Sequence, residues 1–213
     1  MPKTHFVSDT HFGHAQILSP RMWLRRPFAS IEEHDEALIA RWNAAVRTGD
    51  TVWHLGDFCY RCSEERARAI FNRLNGKRFL ARGNHDRIGA RLPWDGPVVD
   101  VAHVQVPDGA GVQGIWLSHY AHRVWPRMHR GDIHLYGHSH GSLPGTAAST
   151  DVGVDCFDFR PVTLAKIRVR LAENARVAGG EPDSAPVTPD FANLRGQPEM
   201  KVPFQALGIG RDR

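Results

Sequence analysis

An α/β fold is predicted by two features of this 213-residue sequence. Strand-like and helix-like segments alternate through its first half, and residue types that bind metals recur where strand-like runs give way to loops. Thr4 to Ser8 reads as a short strand ending at Asp9. Ser30-Ile-Glu-Glu33 has capping-box spacing, and Leu38, Trp42, Ala45 and Val46 then recur at helical intervals. Thr48-Gly49-Asp50 stops that helix, and Thr51 to Leu55 forms a second strand running into Gly56-Asp57. Ser63-Glu-Glu-Arg66 opens another helix, reaching about Leu74, with acidic residues in its first turn where the macrodipole favours them. Asn75-Gly76 closes it, and Lys77 to Ala81 is a third strand leading to Arg82-Gly-Asn-His-Asp86. From Val98 onward the pattern is mostly strand: Val98 to Val106, Gly114 to Ser118, Ile133 to Tyr136 and Asp151 to Asp155, separated by Gly, Pro and Asp turns. Val162 to Leu171 fits a closing strand or a short helix equally well.

Composition bounds the class. The hydrophobic fraction of 41% and charged fraction of 23% are those of an ordinary globular domain. No apolar run is long enough to cross a bilayer, and the first residues carry neither an apolar leader nor a cleavage site, so a cytoplasmic location with no membrane partner is expected. A net charge of +4 helps attract phosphate-bearing partners without by itself indicating nucleic acid. Three cysteines are too few for a disulfide framework. Cys59-Tyr-Arg-Cys62 has C-x-x-C spacing, but with no second pair it cannot make a tetrahedral zinc site from cysteine alone, and packing is the expected role. The unusual count is thirteen histidines, the commonest nitrogen ligands of metals. One domain is expected over residues 1–174, followed by a Pro/Gly-rich tail, 175–213, loosely docked or disordered. Oligomeric state is not legible.

The metal-type residues fall at strand ends. Asp9-Thr-His11 follows the first strand, Asp57 the second and Asn84-His85 the third. His119 follows the Gly114–Ser118 strand, and Gly137-His-Ser-His140 follows Ile133–Tyr136. In α/β sheets the carboxyl ends of strands open into one shared crevice, so these clusters are expected to converge. A carboxylate such as Asp57 has two oxygens and can bridge two cations, while imidazoles and a terminal carboxylate complete shells suited to Mn, Fe, Zn or Ni. Such a pair of cations can clamp a phosphoryl group and acidify a bridging water. The D-x-H and H-x-H spacings place both side chains on one side of extended backbone. Glycines before Asp57, Asn84 and His138 fit close turns.

The ordered set Asp9-x-His11, Gly56-Asp57, Gly83-Asn-His-Asp86, His119 and Gly137-His-x-His140 resembles the calcineurin-like metallophosphoesterase superfamily over roughly residues 4 to 160. The wording Ser8-Asp-Thr-His-Phe-Gly-His14 and Leu135-Tyr-Gly-His-Ser-His-Gly141 is similar to its small bacterial and phage members. The resemblance implies two mixed β-sheets packed face to face and flanked by helices. It also implies two divalent cations, manganese first among Mn, Fe, Zn and Ni: one on Asp9, His11 and His140, the other on Asn84, His119 and His138, with Asp57 bridging. His85 would be a non-ligand histidine that stabilises the transition state or protonates the leaving oxygen, beside Asp57. The implied activity is hydrolysis of phosphomono- or phosphodiesters by a dimetal-bound hydroxide. The alternatives are a nuclease or nucleic-acid end-processing phosphodiesterase and, further off, a non-catalytic scaffold. Protein Ser/Thr phosphatases of the superfamily carry Gly-Asp-x-x-Asp-Arg-Gly at the second motif; here Tyr60 stands at the second aspartate, which argues against that subclass. The partner orienting His85 is then open, with Asp86 a candidate.

The substrate side rests on weaker signals. His14 could meet substrate phosphate, support a ligand or be a solvated loop residue. Arginines beside an aromatic, at Arg21-Met-Trp-Leu-Arg25-Arg26 and Arg123-Val-Trp-Pro-Arg127, suit a phosphate joined to a base, through bidentate hydrogen bonds and stacking. His14, Arg25, Arg26 and Arg127 are therefore expected substrate contacts, with a phosphate ester, nucleotide or nucleic acid as partner. His54 and His134 are expected to be satisfied interior histidines.

Overall fold

A computed structural model describes residues 2–22 and 25–178. Two four-stranded mixed sheets form the fold, an α/β sandwich with flanking helices. The first sheet has the order β3-β2-β1-β8. Its strands are β1 (Thr4–Val7), β2 (Thr51–His54) and β3 (Lys77–Leu80), all parallel, with β8 (Val162–Thr163) antiparallel to β1. The crossovers are α1 (Ile31–Ala45) and α2 (Glu64–Phe71). The second sheet has the order β4-β5-β6-β7. It pairs β4 (Val101–Asp108) antiparallel to β5 (Gly111–Ser118), and continues in parallel through β6 (Ile133–Tyr136) and β7 (Ser149–Asp151). Helix α3 (Leu164–Ala178) contacts β7 and β8.

The period of two along β1 divides the core in two. Val7 joins Leu38, Trp42, Val52, Phe58, Ile70 and Phe71 under α1 and α2, whereas Phe6 points the other way, onto Ile115, Leu117, Ile133 and Leu135 of the second sheet. Ile167 and Leu171 of α3 join that second core. The helix starts hold as the sequence predicts: Ser30 Oγ accepts from the Glu33 N–H at 3.1 Å, and Glu33 returns a carboxylate to the Ala29 N–H at 2.8 Å. Ser63 Oγ likewise accepts from the Arg66 N–H at 3.2 Å.

Three element boundaries differ from the sequence reading. The apolar run from Val98 is not one strand: Val99 bridges to Ala81 beside β3, the chain then crosses between sheets at Asp100, and β4 begins at Val101. Asp151 to Asp155 is a strand only to Asp151. The Asp151 carboxylate accepts the Gly153 N–H at 2.6 Å, and Val154–Cys156 is a 3-10 turn. Val162 onward is both things in succession, a two-residue strand and then α3. Residues 175–178 continue α3, and the remainder of the expected tail lies outside the described residues. Among the described residues no helix is long and apolar enough to cross a membrane.

Candidate metal centre

Five loops at the carboxyl ends of β1, β2, β3, β5 and β6 converge, and the backbone there is unusual. Asp9 (φ 56°), His11 (49°), Asp57 (60°), His138 (66°) and His140 (47°) all lie in the left-handed region. Non-glycine residues avoid that region, at roughly 1–3 kcal/mol each, so five together mark a site where surrounding contacts over-determine the backbone. The loops interlock to hold it. Asp9 N donates to Gly56 O at 3.0 Å, His11 N to Asp57 O at 3.0 Å and Phe12 N to Phe58 O at 2.9 Å, while Gly137 N donates to His119 O at 2.9 Å. Two glycines are needed for close approach. At Gly56, with φ of 94°, a Cβ would collide with His119 Nδ1 and the Gly83 backbone, and at Gly137 it would strike Ser8 and the Asp9 carboxylate.

Two groups of potential ligand atoms result. The side-chain donors of Asp9, His11 and His140 lie within 4.8 Å of one another, as do those of Asp57, His119 and His138. One oxygen faces both groups: Asp57 Oδ2 is 3.7 Å from His11 Nε2 and 3.5 Å from His119 Nε2. Asn84 Oδ1 lies 3.0 Å from His119 Nε2 and so borders the second group. Each histidine is oriented through its other nitrogen where a partner exists. His119 Nδ1 meets Leu55 O at 2.8 Å, and His140 Nδ1 meets Asp155 Oδ2 at 2.7 Å, leaving Nε2 toward the centre in both.

The residues fit cations on electrostatic grounds. Asp9 is fully buried, and burial pushes its carboxyl up to about 7, with Asp151 and Asp57 adding to the rise against the pull of His140 and His119. His11 is held well below its usual value, by burial first and then by Arg26, His140, His14 and His85. Neither of its nitrogens has a hydrogen-bond partner among the described residues. A neutral imidazole whose ring-nitrogen lone pair has no partner, beside a buried carboxylate, is a ligand set that a divalent cation satisfies.

The profile of calcineurin-like phosphoesterases matches residues 2–104. An uncharacterised protein of Methanocaldococcus jannaschii is 31% identical over 183 residues, covering 83% of this chain and 95% of the relative. The chain belongs to the calcineurin-like phosphoesterase family. The Gene 66 protein of Mycobacterium phage L5 is 28% identical over 169 residues, spanning 67% of this chain and 80% of its own. A crystal structure of a protein of unknown function from Aquifex aeolicus has the same fold at 19% identity, with a TM-score of 0.58 over 78% of this chain and 98% of that one. The family's chemistry is metal-dependent hydrolysis of phosphoester bonds, and the two Asp/His groups can hold metals.

Around the centre of this phosphoesterase-family chain, other expected residues take varied places. The His85 ring lies 5.7 Å from that of His11, and the His85 backbone N–H donates to Asp57 Oδ1 at 2.8 Å. Tyr60, not Asp86, packs on His85, with ring centroids 4.0 Å apart. Asp86 faces away, accepting the N–H groups of Asp57, Phe58 and Gly83 at 2.8–2.9 Å; burial pushes its carboxyl up to about 6 in spite of them. His14 is buried, 5.4 Å from the His11 ring and edge-on to Tyr60; burial, then His85 and Arg61, lower it to about 4. Arg25 is exposed. Arg26 does not face substrate space: it is 1% exposed and turned inward, paired through Nε and Nη2 with the two Asp155 oxygens at 2.8 Å and donating to the carbonyls of Asp9 and Thr10. Arg127 pairs with Asp132, which precedes β6, whereas His138 follows it; four strand residues, about 13 Å, separate the two ends. His134 is satisfied as expected, by the His122 N–H and Trp116 O at 3.0 Å each. Cys59 and Cys62 are free thiols packed at the α1/α2 core.

Four supporting residues escaped the sequence reading. Ser8 Oγ donates to Asp9 Oδ2 at 2.7 Å, and Asp151 accepts from the Ser139 hydroxyl and the Gly141 N–H, fixing the H-x-H loop. Asp155 and Tyr120 complete the set; the Tyr120 hydroxyl is 3.4 Å from Asn84 Oδ1. The available signal was the Asp151-x-Gly-x-Asp155 run, whose alternating acids around a glycine fit a loop as well as a strand.

Proposed function

We propose that this chain hydrolyses phosphate esters at a two-metal centre in which Asp9, His11 and His140 hold one cation, Asn84, His119 and His138 hold the other, and Asp57 bridges them. The observation that carries the reading is the Asp57 Oδ2 atom, within 3.7 Å of a histidine nitrogen of each group. When bound, the two cations supply charge neutralisation at the phosphoryl oxygens and lower the pKa of a water, manganese being the first choice among borderline metals. The protein's own groups do the rest. Asp155 and Leu55 O fix the His140 and His119 rings, so their Nε2 lone pairs need no reorganisation. His85, packed on Tyr60, is set at the rim, where its imidazole can give a proton to the departing ester oxygen.

Hydrolysis of bis-p-nitrophenyl phosphate tests this reading. Activity is expected to vanish with chelator and return with Mn, and activity indifferent to chelation would sink it. Asp57→Asn is expected to lower bound metal to below one equivalent per chain. His85→Ala is expected to cut kcat by about 10²–10⁴-fold with metal content unchanged. Loss of metal in His85→Ala would instead make His85 a ligand.

A further inference from the structure

Two concavities meet at Asn84, beside the metal residues. One, of about 390 Å³, is walled by Tyr60, Arg61, His85 and Arg87; the other, of about 300 Å³, by Arg82, His119, Tyr120 and His122. Each pairs arginine with an aromatic side chain. Charge in them is lopsided: among their lining residues the one acid is Asp100, itself exposed and 3.6 Å from Arg82. Arg61 is engaged by the neutral Gln16 side chain and lies over the Tyr60 ring, and the exposed Arg87 has no ion-pair partner among the described residues, so neither charge is compensated by an acid. Tyr120 contacts the His119 and His138 rings at 5.0 and 4.7 Å yet remains 49% exposed, which leaves ring surface for a ligand directly beside the centre.

A phosphomonoester needs room for one organic group, whereas a diester carries two. Arginine binds phosphate oxygens and an open aromatic ring stacks on any base, so arginines on both sides of the centre, with the exposed Tyr120 ring on one of them, match a chain of nucleotides running across it. Bases in a duplex are stacked and paired and do not present a face to Tyr120.

We propose that the substrate is a single-stranded polynucleotide, its scissile diester lying over Asp57 and Asn84, with one neighbouring nucleotide against Arg61 and Arg87 and the other against Arg82 and Tyr120. This rests on the phosphoesterase reading above and adds the substrate class. In the reaction a water oxygen bonds to phosphorus and the P–O bond to one nucleoside breaks. His85 gives the departing oxygen its proton, and the proton shed by the water goes to solvent. One product strand ends in a phosphomonoester and the other in a hydroxyl.

The test combines binding and turnover. Fluorescence anisotropy with a labelled single-stranded dodecamer and its duplex is measured on metal-free protein over a salt series. Cleavage of the dodecamer and of bis-p-nitrophenyl phosphate is measured on Mn-loaded protein. The single strand should bind at least about 10-fold tighter than the duplex. Arg82→Ala and Arg87→Ala should each lower the slope of log affinity against log salt by about 0.7, with Arg176→Ala on α3 as the charge control that leaves it unchanged. Tyr120→Ala should cut kcat/KM for the dodecamer, relative to that for bis-p-nitrophenyl phosphate, roughly 10-fold. Equal binding of single strand and duplex, or unchanged slopes and ratio in these variants, overturns the proposal. So does hydrolysis of bis-p-nitrophenyl phosphate with no binding of the dodecamer, and in that case the phosphoesterase reading stands. If neither ester is cut, both readings fall.

Discussion

Asp155 serves two ligand loops at once. Its carboxylate holds His140 through Nδ1 and clamps Arg26, whose guanidinium in turn holds the carbonyls of Asp9 and Thr10. The pull of His140 and Arg26 overcomes burial and holds the Asp155 carboxyl down at about 2. Asp155→Ala would leave a buried guanidinium without its counter-charge, which costs about 3–5 kcal/mol in comparable settings. It should also weaken metal binding about 10–100-fold by releasing His140. Urea unfolding of the metal-free variant and a metal titration read the two effects separately; wild-type values in both would refute the coupling. A second acid sets an acid limit on stability. Asp50 is lowered to about 2 because the Lys3 and Arg47 N–H groups and His5 outweigh its burial. A depressed carboxyl stabilises fully above its ordinary value near 3.8 and loses that contribution as pH falls toward 2. Unfolding free energy measured between pH 6 and 2 should therefore fall less steeply in Asp50→Asn than in the wild type. At this scale the convergence of the candidate ligands was legible, because coordination demands particular residue types at particular spacings. Arg26 was not: an arginine beside a loop tryptophan reads the same whether it faces phosphate or turns inward, and only tertiary packing decides.

Strand ends and the turns after them carry the site, so element-scale changes should act on it directly. Gly56→Ala puts a side chain at φ 94° and against His119 Nδ1, the nitrogen that bonds Leu55 O at 2.8 Å. The left-handed backbone alone costs about 1–2 kcal/mol. The larger expected outcome is displacement of the His119 ring, read as reduced metal stoichiometry in protein that still folds. The strands and helices with clear periodicity, β1, α1, β2, α2, β3 and β6, were legible within a few residues. The failures came where one apolar run serves two sheets. Val99 bridges Ala81 while Val101 onward pairs with β5, and nothing in the alternation marks the crossing at Asp100. The 3-10 turn at Val154–Cys156 hid for a related reason, because its residues alternate like a strand but the Asp151 carboxylate folds the backbone back.

Between the two sheets, Leu135 is fully buried among Phe6, Leu117 and Val162. Leu135→Ala should lower stability by about 2–5 kcal/mol, the usual range for such a cavity, as a shift in the denaturation midpoint. The layering itself followed from the family resemblance more than from patterning, since period-two alternation does not say which sheet a strand joins. Strand β1 sits inside the first sheet, between β2 and the closing strand β8, and Asp9 at its end accepts the His138 N–H at 3.0 Å. The centre thus joins residue 9 to residues 138 and 140, and its central strand is closed only by residues 162–163. Contacts so distant in sequence carry a large loop-closure cost, so they are expected to form late in folding. A metal bound by these groups would therefore meet a site that is assembled only when the chain is nearly folded. It should slow unfolding while leaving the folding rate unchanged; a folding limb that accelerates with added Mn would contradict this. On the proposed two-metal reading, the ion would act as a latch on the finished molecule, not as a template for building it.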